Sequence, residues 1–179
     1  ALSPDGRNLY VTASGDRALV TLSRNLSSGA LSHVDTLFDN TARANGLDGA
    51  SAVAVSPDGR HVVVAGGFDD SLAVFARDAA TGRLEFRDLV LGTASGGVAL
   101  DGPQSLAFSA DGASLFAAAI NADAIHVLRR DAVSGSLTSV AVHGGPTAAL
   151  SDLDGVRSIV LLPDGGLVAA SQHNSSVTS

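Results

Sequence analysis

The stretch Leu47-Asp48-Gly49-Ala50-Ser51-Ala52-Val53-Ala54-Val55-Ser56-Pro57-Asp58-Gly59-Arg60-His61-Val62-Val63-Val64-Ala65 decides the fold. Ser51 to Ser56 is a short apolar run. Ser56-Pro57-Asp58-Gly59 then supplies a turn, in which proline presets φ, aspartate caps and glycine takes the left-handed position. His61 to Ala65 is a second apolar run without alternation, as expected of a strand covered on both faces. Two such runs joined by a tight turn make a hairpin. Further along, Gly66 to Asp70 reads as a polar loop, Leu72 to Phe75 as a third buried strand and Ala79 to Gly82 as another turn. Arg83 to Leu89 alternates polar with apolar residues, which marks a half-exposed edge strand.

This unit recurs. Asp-Gly pairs fall at Asp5, Asp58, Asp111 and Asp164, each 53 residues from the last, and a second series falls at Asp48, Asp101 and Asp154 with the same spacing. Gly29, Gly82 and Gly135 keep the period, as do Arg24, Arg77 and Arg130. Self-similarity at a fixed period of this length is the signature of a repeat architecture. Four antiparallel strands per unit, innermost small and apolar and outermost amphipathic, describe the blade of an all-β propeller. The 179 residues hold about three and a third such blades, over approximately 1-50, 51-103, 104-156 and 157-179, with inner strands near 51–56, 104–109 and 157–162. No linker or second domain interrupts them.

Composition agrees and removes alternatives. One glutamate, no lysine and 17 aspartates disfavour long solvated helices, which need Glu and Lys on their outer face. The formal charge of −7 offers no basic patch to displace phosphate counterions, so nucleic acid is not an expected partner. Without cysteine or lysine there is no thiol nucleophile, disulfide, thiolate metal site, Schiff base or P-loop lysine. No apolar run approaches a membrane span, so membrane insertion is not expected. The chain has no methionine and opens abruptly on Ala1-Leu2-Ser3-Pro4-Asp5-Gly6, which predicts a piece of something longer whose remaining blades come from the same parent chain.

The run Ser3-Pro4-Asp5-Gly6-Arg7-Asn8-Leu9-Tyr10-Val11-Thr12, echoed at Ser56-Pro57-Asp58-Gly59 and Leu162-Pro163-Asp164-Gly165, resembles the repeat of YVTN-type propellers. Together with Leu47-Asp48-Gly49-Ala50, Phe75-Ala76-Arg77-Asp78 and Thr81-Gly82, it is similar to the bacterial β-propeller lactonase family. The resemblance covers essentially the whole chain. It implies a seven-bladed ring, and as an activity the hydrolysis of a sugar or muconate-type lactone. The chain departs from the pattern at Ala110, where the turn proline is replaced, and at Val62-Val63-Val64, which lacks the aromatic.

Asp48, Asp101 and Asp154 precede the innermost strands, so their loops converge on one mouth of the central channel. One reading is a divalent-cation site (Ca or Mg) of oxygen ligands, with Asp152 adding a carboxylate. The other is that Asp-Gly makes the same turn in every blade and each carboxylate bonds local backbone amides. A polar residue confined to one blade is the better site candidate, since scaffold demands recur in all. His143 and His173 are the candidates for a general base or metal ligand by that test. His61 and His126 read as structural. Phe68, Asp69, Asp70 and Asp123, in the loop class that also holds Asp16, are expected on the same mouth and are the candidate ligand-binding residues.

Two functions follow. The similarity of the copies and the lack of a catalytic constellation favour a binding module that takes a small molecule, glycan or protein at the channel mouth, in a bacterial protein of the periplasm, cell surface or exterior. The alternative is a lactonase with its site at that mouth.

Overall fold

The computed structural model describes residues 1–92, 100–145, 153–162, 164–172 and 177–178. They form four antiparallel sheets, and no α-helix occurs among the described residues. The first sheet is β1 (Asn8–Ala13), β2 (Ala18–Arg24) and β3 (Leu31–Phe38), with Leu2 bridged to Leu9 on its inner side. The second is β4 (Ala50–Val55), β5 (His61–Gly66), β6 (Ser71–Arg77) and β7 (Leu84–Leu91). The third is β8 (Pro103–Phe108), β9 (Ser114–Ala119), β10 (Ala124–Arg130) and β11 (Leu137–Gly144). The fourth is β12 (Val156–Leu161), β13 (Leu167–Ser171) and β14 (Val177–Thr178). The inner strands expected at 51–56, 104–109 and 157–162 each begin one residue earlier.

The core lies between the sheets. From β5, Val62 and Val64 pack with Tyr10, Leu19 and Leu37 of the first sheet, while Val63 and Ala65 pack with Leu115, Ala117 and Ala119 of the third. All four β5 residues are fully buried. Alternate side chains on a strand take opposite faces, so a strand covered on both sides loses its alternation, which is why His61 to Ala65 reads as unbroken apolar sequence. A third cluster joins Ala118 and Ile125 to Leu153, just before β12, and to Val156 and Ile159 of the last sheet.

Each Ser-Pro-Asp-Gly turn is capped as its sequence suggests. Asp58 Oδ1 accepts the Ser56 hydroxyl at 2.6 Å and the Arg60 N–H at 3.1 Å, while Ser56 Oγ accepts the His61 N–H at 3.0 Å. The same carboxylates also hold adjacent blades together. Arg77 reaches back to the first sheet, donating to Asp5 Oδ2 at 2.7 Å, Asn8 Oδ1 at 2.8 Å and the Tyr10 hydroxyl at 2.9 Å, and caps its own Gly59 carbonyl at 3.1 Å. Arg130 repeats this one blade on, against Asp58 Oδ2 at 2.8 Å, His61 Nδ1 at 2.7 Å and the Gly112 carbonyl at 2.7 Å. The two marker series in the sequence, arginine and Asp-Gly, are therefore partners across blades, and His61 is structural.

The last hairpin differs. Leu162 N–H bonds to Gly166 O, four residues on, where Ser56 and Ser109 bond five residues on, to His61 and Ser114. This one-residue deletion shifts the repeat phase, so that Val177 pairs with Ala170 as Ile125 pairs with Ala118 and Leu72 with Ala65.

Candidate functional site

In the second and third blades the Asp-Gly turn meets the loop that follows the second strand. Gly49 and Gly102, at φ +66° and +64°, turn the chain into β4 and β8, and the β5–β6 and β9–β10 loops of the same blades close over them. Phe68 N–H donates to Asp48 O at 3.1 Å, and Asn121 N–H to Asp101 O at 3.2 Å. A Cβ on Gly49 would fall 2.8 Å from the Phe68 ring, and one on Gly102 would fall 2.8 Å from the Asn121 amide. Glycine is thus required by the close approach as well as by φ.

Two carboxylates in these loops serve the next blade's turn. Asp70 and Asp123 sit at φ 49° and 52° and accept the Gly102 and Gly155 N–H groups at 2.9 and 2.7 Å. Arg17 stands at the same place in the first blade, at φ 50°, and instead reaches Asp48 Oδ1 at 3.1 Å. Asp101 Oδ1 accepts from the Asn121 amide at 2.9 Å, and the Asp154 carbonyl accepts the Ser171 hydroxyl. Among the described residues, no three or more His, Asp or Glu side chains are grouped to hold a metal ion, so Asp48, Asp101 and Asp154 do not gather as a trio. Asp152 and His173 lie outside the described residues. His143 belongs to the outermost strand β11, paired with Ile125.

Two residues keep free chemistry. Phe68 is 78% exposed, so its ring is presented to solvent above the turn and is not packed between blades. Asp69 accepts the Asp48 N–H at 2.9 Å. Burial, followed by the Asp39 and Asp48 charges, pushes its carboxyl above the ordinary range despite that bond.

The sequence reading missed a third set. The innermost strands each carry a β-bulge at the same place: Ala50 and Ala52 pair with successive residues Gly66 and Ala65, Pro103 and Ser105 with Ala119 and Ala118, and Val156 and Ser158 with Ser171 and Ala170. Ser51, Gln104 and Arg157 are therefore left out of the ladder. Bulges re-aim side chains at sheet edges and beside active sites. These three differ from blade to blade while the Asp-Gly before them repeats, which is the sequence signal that could have found them. Ser51 links blades by donating to Pro103 O at 2.7 Å, Gln104 lies beside the Gly67–Phe68 turn, and Arg157 is exposed. Just below, β1, β4 and β8 enclose a concavity of about 370 Å³ that Ser51 and Ser105 line.

Residues 1–149 match the profile of the lactonase family described as a 7-bladed beta-propeller. The chain belongs to this lactonase family. Among solved structures it is similar to a provisionally named 6-phosphogluconolactonase from Bacteroides uniformis, with TM-score 0.78, 20% identity, and coverage of 99% of this chain and 48% of that one. It is also similar to the periplasmic gluconolactonase PpgL of Pseudomonas aeruginosa, with TM-score 0.68, 28% identity, and coverage of 81% of this chain and 39% of that one. A provisionally named 6-phosphogluconolactonase from Bacteroides fragilis gives TM-score 0.69 and 20% identity over 81% of this chain and 38% of that one. The chain thus spans less than half the length of each. A search of the curated proteins found no match.

Proposed function

We propose that the complete protein built on these blades is a lactonase that opens a sugar-derived lactone at the bulged mouth of the channel. Family membership and the likeness to a gluconolactonase support hydrolysis more than the binding module that the even repeats favoured. The observation that carries the reading is the set of equivalent bulges bearing Ser51, Gln104 and Arg157, because this is where the repeat gives way to different polar groups in different blades.

The chemistry asks for three things. A water oxygen attacks the lactone carbonyl carbon, the ring C–O bond breaks, and the ring oxygen leaves as a hydroxyl after taking a proton. Negative charge develops on the carbonyl oxygen, where the Arg157 guanidinium and the Gln104 amide supply donors. The water's proton needs an acceptor, and Asp69, already raised in proton affinity, is a carboxylate of that kind at the same mouth. Phe68 offers an apolar face for the sugar ring. A location outside the cytoplasm fits the periplasmic relative.

The test is pH-stat titration of the acid released from gluconolactone and a panel of aldonolactones. Arg157→Ala is expected to lower kcat by about 100-fold, the scale of one lost oxyanion donor, and Phe68→Ala to raise KM. Wild-type turnover in a folded Arg157→Ala protein would overturn this assignment. The same assay with and without a chelator reads whether turnover needs a divalent cation.

A further inference from the structure

The interface between the first and second sheets and that between the second and third differ on their outer side, toward the Ser-Pro-Asp-Gly end of the strands. At the first, Arg83, in the turn before β7, donates across to Asp35 Oδ2 at 3.3 Å, and Arg43 pairs with the same carboxylate. One repeat on, Ser136 stands in place of Arg83. Asp88, in place of Asp35, accepts only the neighbouring Leu89 N–H, at 2.9 Å, among the described residues. A cleft of about 400 Å³ opens there between two four-stranded blades, lined by His61, Ala76, Arg87, Asp88, Ser134 and Ser136. His61 is 3% exposed, and Arg130 donates to its Nδ1 at 2.7 Å, so the imidazole proton sits on Nε2. That Nε2–H makes no hydrogen bond among the described residues. It faces Gly135, where a Cβ would lie 2.7 Å away and cover it. A buried donor left open in this way calls for a partner. The Ser134 hydroxyl donates to Asp131 Oδ1 at 3.0 Å and so accepts from Ser136 Oγ at 2.9 Å, which leaves Ser136 Oγ with lone pairs to offer.

We propose that this cleft binds a neutral polyhydroxyl ligand, a pyranose sugar, at the opposite end of the strands from the bulges. Its charges argue against an ion of either sign. Arg87, and Arg130 behind His61, oppose a cation, while Asp88 and the Glu85 that Arg87 bridges at 2.9 Å oppose an anion. A hydroxyl both donates and accepts, so adjacent hydroxyls of one sugar can accept from His61 Nε2 and Arg87 and donate to Asp88 and Ser136. Ala76 and the exposed Val133 supply an apolar side for the C–H face of the ring. The volume lies in the range of small-molecule sites.

The test is titration of this chain with glucose, galactose and mannose, followed through backbone amide and imidazole resonances. Saturable shifts at Asp88, Ser134, Ser136 and the His61 ring are expected from at least one sugar, and none there from guanidinium or phosphate at the same concentration. Asp88→Asn should weaken the apparent affinity by about tenfold, the scale of one charge-assisted bond. Ser136→Arg, which restores the partner that Arg83 gives Asp35 and fills the cleft, should abolish the shifts without lowering the thermal midpoint, and it keeps the test open if Asp88→Asn fails to fold. Sugar shifts confined to Phe68 and Gln104 would place the ligand at the mouth and overturn the proposal. So would an equal response to either ion, no saturable shift with any of the three sugars, or undiminished binding by a folded Ser136→Arg protein.

Discussion

Arg130 shows how much one side chain carries. Its side chain is 2% exposed, and its donors are divided among Asp58, His61 and a backbone carbonyl on two blades. Removing one partner of a buried pair typically costs about 3 kcal/mol or more, so Arg130→Ala should lower the unfolding free energy from urea denaturation by about that much, with little recovery in Arg130→Lys, which lacks the fork. The same cluster predicts a pH response. Arginine only donates, so His61 Nδ1 accepts and its proton sits on Nε2. Burial, then the Arg130 charge, push His61 below its ordinary 6.5. A base whose pKa falls on folding gives stability that is whole above 6.5 and is lost as pH drops below it. Asp58 and Asp5 behave in the other carboxylate range: burial works to raise each, but bonds from arginine, serine and backbone outweigh it and hold both at about 2. Their contribution is present above 3.8 and is lost as pH falls toward 2. Thermal melts should therefore show two separate declines on acidification. His61→Asn, which installs the residue that Asn8 provides in the first blade, should remove only the upper one. These pairings were not legible in the sequence, because Asp5 and Arg77 are 72 residues apart and nothing but the shared period relates them.

At the scale of elements, the hairpins were legible and their exceptions were not. Proline, aspartate and glycine at fixed offsets announce a turn whichever blade holds it. The shortened turn at Asp164 to Gly166 differs by one residue, and only its hydrogen bonds show the phase change that follows. Bulges escape for a like reason: the pairing alone shows them, and their one trace in the sequence is the change from Ser51 to Gln104 to Arg157 beside a constant Asp-Gly. The Gly29, Gly82 and Gly135 series allows a clean separation of two causes. All three have positive φ, at 74°, 77° and 82°. A Cβ on Gly29 meets nothing within 4 Å, whereas one on Gly135 would lie 2.4 Å from His61 Cδ2 and one on Gly82 2.1 Å from Asn8 Nδ2. Gly29→Ala should then show the backbone cost alone, about 1 kcal/mol. Gly82→Ala and Gly135→Ala add a clash across the blade interface and should cost at least about 2 kcal/mol by chemical denaturation, and equal costs at all three sites would refute the interface role.

For the whole molecule, stacking explains both what was read and what was misplaced. Blades that bury both faces demand the same small apolar residues each time, so the period and the strand order stand out, while the few positions released from that demand differ from blade to blade. Ser51, Gln104 and Arg157 were overlooked beside the louder repeated aspartates, and His143 drew attention by being unique although its strand is the outermost of four. The same stacking predicts how the 179-residue chain behaves in solution. Val64 in the second sheet is fully buried, whereas its counterpart Val11 in the first is 40% exposed; Ala54 is 9% exposed, whereas its counterpart Val160 in the last sheet is 56% exposed. Apolar blade faces without a neighbour are the recognised weakness of repeat folds, and contiguous exposed apolar surface drives association. Sedimentation velocity over a concentration series should show reversible self-association. Val11→Ser combined with Val160→Ser should shift the equilibrium toward monomer at unchanged far-ultraviolet circular dichroism, because both changes lie on solvent-facing positions of strands whose ladders they leave intact. A chain that sediments as a monomer at every concentration, with or without these changes, would mean that the end faces are closed in solution by a rearrangement of the first and last sheets.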